Sequence, residues 1–143
     1  MHIFTRIAIA FGLAIAFCST SAAQWTYYAP QPTARWGHTC AAYNGLIYSV
    51  SGLGWTNMEV YNPGTNSWAA LAPIPIGVAY AAVSGYNGKI YVMGGYTGAA
   101  STNHQIYTIA TNTWSTGAAL PIAGYGNASV AFGGKIYVTA GYN

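Results

Sequence analysis

Lys89-Ile90-Tyr91-Val92-Met93-Gly94-Gly95-Tyr96, followed by Gln105-Ile106-Tyr107 and Thr111-Asn112-Thr113-Trp114, is the stretch whose reading decides the fold. Lys89 to Met93 is apolar without polar alternation, which suits a strand buried on both faces. Gly94-Gly95 ends it, where small residues allow close backbone approach or unusual φ. Ile106-Tyr107 starts another strand, and Trp114 sits on a short one beyond a turn. Upstream, Asn87-Gly88 is a hairpin signal, because both residues accept positive φ. A further small-residue, β-compatible run, Ala79 to Tyr86, precedes that turn. One unit therefore reads as four short antiparallel strands.

The unit recurs in both directions. Trp25, Trp68 and Trp114 lie 43 and 46 residues apart, and so do Ile47-Tyr48, Ile90-Tyr91 and Ile136-Tyr137. Glu59-Val60-Tyr61 and Thr65-Asn66-Ser67-Trp68 stand 46 residues before their counterparts, and Pro75 precedes Pro121 by the same step. Self-similarity at this period is the signature of a repeat architecture. The equivalent turns are Asn44-Gly45 and Gly133-Gly134. The equivalent first strands fall in Gly37 to Tyr43 and Tyr125 to Phe132, and the apolar strands in Leu46 to Val50 and Lys135 to Thr139. The three-residue difference in period falls between Gly52 and Glu59, as a surface loop between fixed strands tolerates.

Apolar strand, Gly-Gly, Tyr, then Trp is the pattern of the kelch repeat, and residues 25–143 resemble kelch-type β-propellers. The resemblance implies an all-β fold: a partial kelch-type β-propeller of about two full four-stranded antiparallel blades plus terminal part-blades. A leading fourth strand around Trp25 and a final strand pair supply the part-blades. It implies packing roles for Trp25, Trp68, Trp114, Tyr61, Tyr107, Gly52, Gly94, Gly95 and Gly141. The pattern departs from the family at Ser51 and Ala140, which replace the first Gly of the pair. Propellers close with roughly four to eight blades. The chain therefore reads as a fragment of a longer protein with further C-terminal blades, or as a part-ring that oligomerises through unpaired strand edges.

Residues 1–23 are of another kind. Arg6, an apolar run from Ile7 to Phe17 and small residues to Ala23 describe a secretory signal peptide cut after Ala23. The run is shorter than the roughly 20 residues that span a bilayer. The chain then reads as secreted, periplasmic or extracellular, with no stable membrane span after cleavage. Residues 24–143 form the propeller segment. Charged residues are 3% of the chain, against roughly a quarter in ordinary soluble domains. After cleavage Arg35, Lys89 and Lys135 face Glu59 alone. Two scattered lysines do not make the basic cluster that nucleic acid requires. Cys40 has no partner for an intrachain disulfide and, at the repeat position of Val83, reads as a buried apolar thiol.

Catalytic chemistry finds little here. With Glu59 the single acid, no carboxylate pair can form. No nucleophile elbow or phosphate-cradling loop is present. The family resemblance brings in galactose oxidase, a copper enzyme using His, Tyr and a Tyr-Cys crosslink. His38, His104 and Cys40 supply such ingredients, but no metal-ligand spacing joins them, so no cofactor is expected. Asn127-Ala128-Ser129 is a glycosylation sequon read into an inner strand and hence unused.

Binding residues are expected on the face that carries the second-to-third loops and the inter-blade connections. Trp55, Tyr80, Asn103, His104 and Tyr125 are the ligand candidates there. Tyr96 and Tyr142 lie nearby but match each other across repeats and read as packing residues. Trp55 and His104 occupy the length-variable loop, where the scaffold does not dictate identity. Aromatic rings beside Asn and Thr suit sugar stacking or a peptide contact. The function that follows is a binding scaffold for carbohydrate or protein. The alternatives are a fragment of a secreted propeller enzyme with catalytic residues in other blades, or a truncated product without activity of its own.

Overall fold

The computed structural model describes residues 25–139 and 141–143; the signal-peptide reading lies outside the described residues. Among the described residues ten strands run in chain order: β1 Thr39–Tyr43, β2 Leu46–Val50, β3 Met58–Asn62, β4 Ser67–Leu71, β5 Ala82–Tyr86, β6 Lys89–Met93, β7 His104–Thr108, β8 Thr113–Thr116, β9 Ala128–Phe132 and β10 Lys135–Thr139. They form two four-stranded sheets, β1-β2-β3-β4 and β5-β6-β7-β8, and one hairpin of β9 and β10. Every pairing is antiparallel, and the register repeats with the sequence: Ile47 faces Tyr61 as Ile90 faces Tyr107. The innermost strands β1, β5 and β9 stand side by side, and Ser84 Oγ and Ser129 Oγ join two of them at 2.8 Å.

Tight turns do what their residues dictate. Asn44 and Gly45, Asn87 and Gly88, and Gly133 and Gly134 all have positive φ, the primed-turn geometry that matches strand twist. The core lies between the two full sheets. Tyr48, Val50 and Met58 of the first meet Ile74 and Val78 of the connection and Ile90, Val92 and Tyr107 of the second. This burial is the main stabilising term in so uncharged a chain.

Three expectations are corrected. Residues 25–38 form no strand, and Trp25 is 96% exposed; no strand among the described residues offers it the third-strand edge on which Trp68 and Trp114 pair. Cys40 is exposed, because it stands on an innermost strand whose outer face no further sheet covers among the described residues. Burial on both faces holds for much of β6 but fails for β10, where all but Ile136 is exposed.

Candidate functional site

The connections enter each sheet beside the end of its second strand, and there the aromatic residues gather. Ala79 and Tyr96 exchange backbone hydrogen bonds of 3.0 and 2.7 Å, as Tyr125 and Tyr142 do at 2.8 and 2.7 Å. This pairing places five rings in one arc. Trp36 meets Tyr80 at 6.3 Å between centroids, Tyr80 meets Tyr125 at 6.4 Å, and Tyr125 meets Tyr96 at 5.4 Å and Tyr142 at 5.7 Å. The contacts are edge-on or tilted, the favourable arrangement for aromatic quadrupoles. Trp36 is 59% exposed, Tyr80 39% and Tyr142 73%, so ring faces stay open to solvent.

Tyr80 is the unusual member. Its φ is 54°, and its repeat counterparts Gly37 and Gly126 both have φ 68°. The left-handed region costs an L-residue with a Cβ about 1–2 kcal/mol and is a genuine outlier for a bulky side chain. The backbone has no other choice at this place. Tyr80 N–H donates to Gly37 C=O and Gly126 N–H donates to Tyr80 C=O, both at 2.8 Å, a belt linking three units around the innermost strands. Two units meet the required φ with glycine, and the third carries a tyrosine into the arc.

Arg35, next to Trp36 in the chain, belongs to a buried polar cluster. Arg35 Nη1 pairs with Glu59 Oε2 at 2.7 Å, both side chains at most 5% exposed. Gln31 and Thr33 donate to the same carboxylate at 2.8 Å each. Burial works against the Glu59 charge, but the hydrogen bonds from Gln31, Arg35 and Thr33 and the Arg35 charge outweigh it, so the carboxyl titrates below its ordinary value. In the next unit neutral Gln105 takes this place. Its side chain accepts from Ile76 N–H and donates to Ile76 C=O, both at 2.9 Å.

The remaining expected residues are distributed. His104 opens β7 instead of lying in a loop; its Nδ1 lies 3.0 Å from Ala118 C=O and its ring packs near Tyr91. Asn103 is half-buried, and its C=O accepts from Gly94 N–H at 2.7 Å. Trp55 is exposed but makes no ring contact with the arc. Tyr80 and Tyr125 are brought together. Asn127 precedes β9 instead of lying in it, its amide donating to Gly124 C=O and accepting from Gly141 N–H. It also explains Gly94, where a Cβ would meet Asn127 Nδ2 at 2.5 Å. His38 precedes β1, with Nδ1 3.1 Å from Arg35 C=O. Trp36 joins the arc although the sequence reading does not single it out. Its signal was its place at the repeat position of Tyr125, one residue before the glycine counterpart of Tyr80.

Trp68 and Trp114 hold the connections. Trp68 Nε1 donates to Ala29 C=O at 2.9 Å and Trp114 Nε1 to Ala72 C=O at 2.8 Å. Asn66 and Asn112 accept from the N–H groups of the same two alanines and from the hydroxyls of Tyr61 and Tyr107. A family model described as the Kelch motif matches residues 77–121, the second sheet with its connections. Residues 77–121 carry a kelch motif, and the fold is that of a partial kelch-type β-propeller. Mouse Kelch-like protein 35 is 37% identical over 75 residues, covering 50% of this chain and 13% of that protein. An F-box/kelch-repeat protein of Arabidopsis thaliana is 36% identical over 76 residues, covering 50% and 20%. The chain thus spans about an eighth to a fifth of these kelch relatives. The solved structure of YjhT shares the fold, with a TM-score of 0.69, 24% identity, and coverage of 78% of this chain and 36% of that one.

Proposed function

We propose that this kelch segment is a non-enzymatic binding scaffold, exported by residues 1–23, that docks an uncharged region of a protein partner on the arc of Trp36, Tyr80, Tyr96, Tyr125 and Tyr142. The observation that carries the reading is Tyr80, a bulky side chain kept at a glycine backbone position. Backbone strain of this kind concentrates where a side chain has work to do. Charge supports an uncharged ligand. Arg35 and Glu59 neutralise each other out of solvent, and Lys89 and Lys135 stand beside the tight turns at the opposite ends of their strands. Open aromatic faces with two-torsion side chains make strong anchors at low entropic cost.

The same open faces favour a second reading, a neutral glycan stacked on Trp36 or Tyr142. Affinity capture from extracellular protein and a glycan array separate the two. In either case Tyr80→Gly, which keeps the backbone comfortable and removes the ring, should abolish binding together with Trp36→Ala. Binding that survives both substitutions would remove the arc from the function.

A further inference from the structure

The dipeptide Asn-Gly forms the turn between the first and second strands of both full sheets, as Asn44-Gly45 and Asn87-Gly88. The two turns share one backbone: φ is 49° and 74° in the first, 45° and 73° in the second. Tyrosine precedes each, so local sequence and conformation are matched. Their surroundings are not. Gly88 N–H donates to the Tyr43 hydroxyl at 2.8 Å, and Gly88 C=O accepts from Ile109 N–H at 3.1 Å. Among the described residues nothing bonds the N–H or C=O of Gly45. For the C=O the reason lies in the first unit itself. Pro63 stands 46 residues before Ile109, and proline has no N–H. Asn44 and Gly45 are both exposed, whereas Gly88 is half-buried.

An asparagine followed by glycine is open to attack by its own backbone. The glycine nitrogen gives up its proton to hydroxide and attacks Cγ of the asparagine, an approach that no Cβ hinders. The N–Cγ bond forms, the Cγ–Nδ2 bond breaks, and ammonia leaves after taking a proton from water. Water then opens the cyclic imide. Breaking the N–Cγ bond gives aspartate; breaking the original peptide bond instead gives an isoaspartyl link through Cβ and Cγ. The attack needs a nitrogen out of hydrogen bonding and a turn able to leave its left-handed conformation. Each bond that holds the glycine therefore opposes it, as in any local opening.

We propose that Asn44-Gly45 is a spontaneous modification site, converted by water to aspartyl and isoaspartyl forms, and that Tyr43 and Ile109 keep the identical Asn87-Gly88 intact. Aspartate at position 44 adds a solvent-facing acid to a chain whose single acidic side chain, Glu59, is buried against Arg35. The isoaspartyl form adds a backbone atom to the two-residue turn that sets Tyr43 opposite Leu46. It therefore loosens the register of β1 on β2.

The test holds the full chain in warm, mildly alkaline buffer and follows the Asn44 and Asn87 peptides by mass spectrometry, with isoaspartyl content read separately. Conversion at Asn44 should exceed that at Asn87 about tenfold or more, the effect of two hydrogen bonds of ordinary net strength. In the urea-unfolded chain the two rates should converge. Tyr43→Phe keeps the ring, removes the hydroxyl and should speed Asn87 about fivefold, one such bond. Pro63→Ile supplies the N–H that the second unit has and should slow Asn44 by a similar factor. Equal rates in the folded chain, a difference that persists on unfolding, or conversion at Asn44 only after unfolding would each overturn the proposal. So would rates that neither substitution changes.

Discussion

At the scale of single residues, position 80 offers an inverted stability comparison. At most strand-flanking positions alanine is more stabilising than glycine, because glycine loses more backbone freedom on folding. At φ 54° the order reverses: Tyr80→Gly should exceed Tyr80→Ala by about 1 kcal/mol in denaturant unfolding. An alanine variant as stable as the glycine one would contradict the left-handed backbone. Glu59 gives a pH signature. Its carboxyl titrates lower in the folded chain than its ordinary 4.5. Its stabilisation is therefore complete above that value and is lost as pH falls through the lowered folded one. Urea midpoints should drop on acidification to about pH 3, and Glu59→Gln should flatten that limb. Removing Arg35 alone, as Arg35→Met, leaves a buried uncompensated charge and should cost about 3–5 kcal/mol at neutral pH. The sequence showed Arg35 and Glu59 as scarce charges but not as partners, since their contact is fixed by the path of residues 31–35, which carries no periodic signal.

At the scale of elements, the strands were legible because their chemistry repeats. Leu46 to Val50, Lys89 to Met93 and Lys135 to Thr139 were read with the bounds that β2, β6 and β10 have. His104 opens the strand instead of closing the loop because the residue-by-residue match with the first unit begins only at Glu59 and Gln105, one position further on. The packing tryptophans were legible, but their hydrogen bonds to Ala29 and Ala72 join residues 39 and 42 positions apart and depend on the blade-to-blade arrangement. Two substitutions rank these bonds. Trp114→Phe keeps most ring packing and removes one N–H donor, so it should cost about 1 kcal/mol. Asn112→Ala strips partners from Ala72 N–H and Tyr107 OH together and puts alanine at φ 52°. It should cost about 2–4 kcal/mol, measured on the same thermal unfolding curves. The aromatic arc is half legible: Tyr80 and Tyr125 stand out, Tyr96 and Tyr142 match each other across the repeat and read as packing residues, and Trp36 is not singled out.

At the scale of the whole molecule, hydrophobic cover is uneven. The core sits between the two full sheets, while Val130 and Tyr137 of the last hairpin are exposed and Phe132 is 75% exposed. Such an apolar patch beside an open strand edge favours association. Light scattering of residues 24–143 should show concentration-dependent self-association, reduced by Phe132→Lys with Val130→Thr; a monodisperse wild-type chain would contradict this. The tryptophan hydrogen bonds also have a consequence in time. Ala72 leaves the first sheet, and among the described residues its backbone N–H and C=O bond to Asn112 and Trp114. A ribosome adding about 5–20 residues per second takes several seconds to deliver them. During biosynthesis the first unit therefore waits, with the backbone groups of Ala72 unpaired, until most of its successor has been made. Translation speed across residues 73–114 sets how long the half-built chain is open to chaperones and proteases.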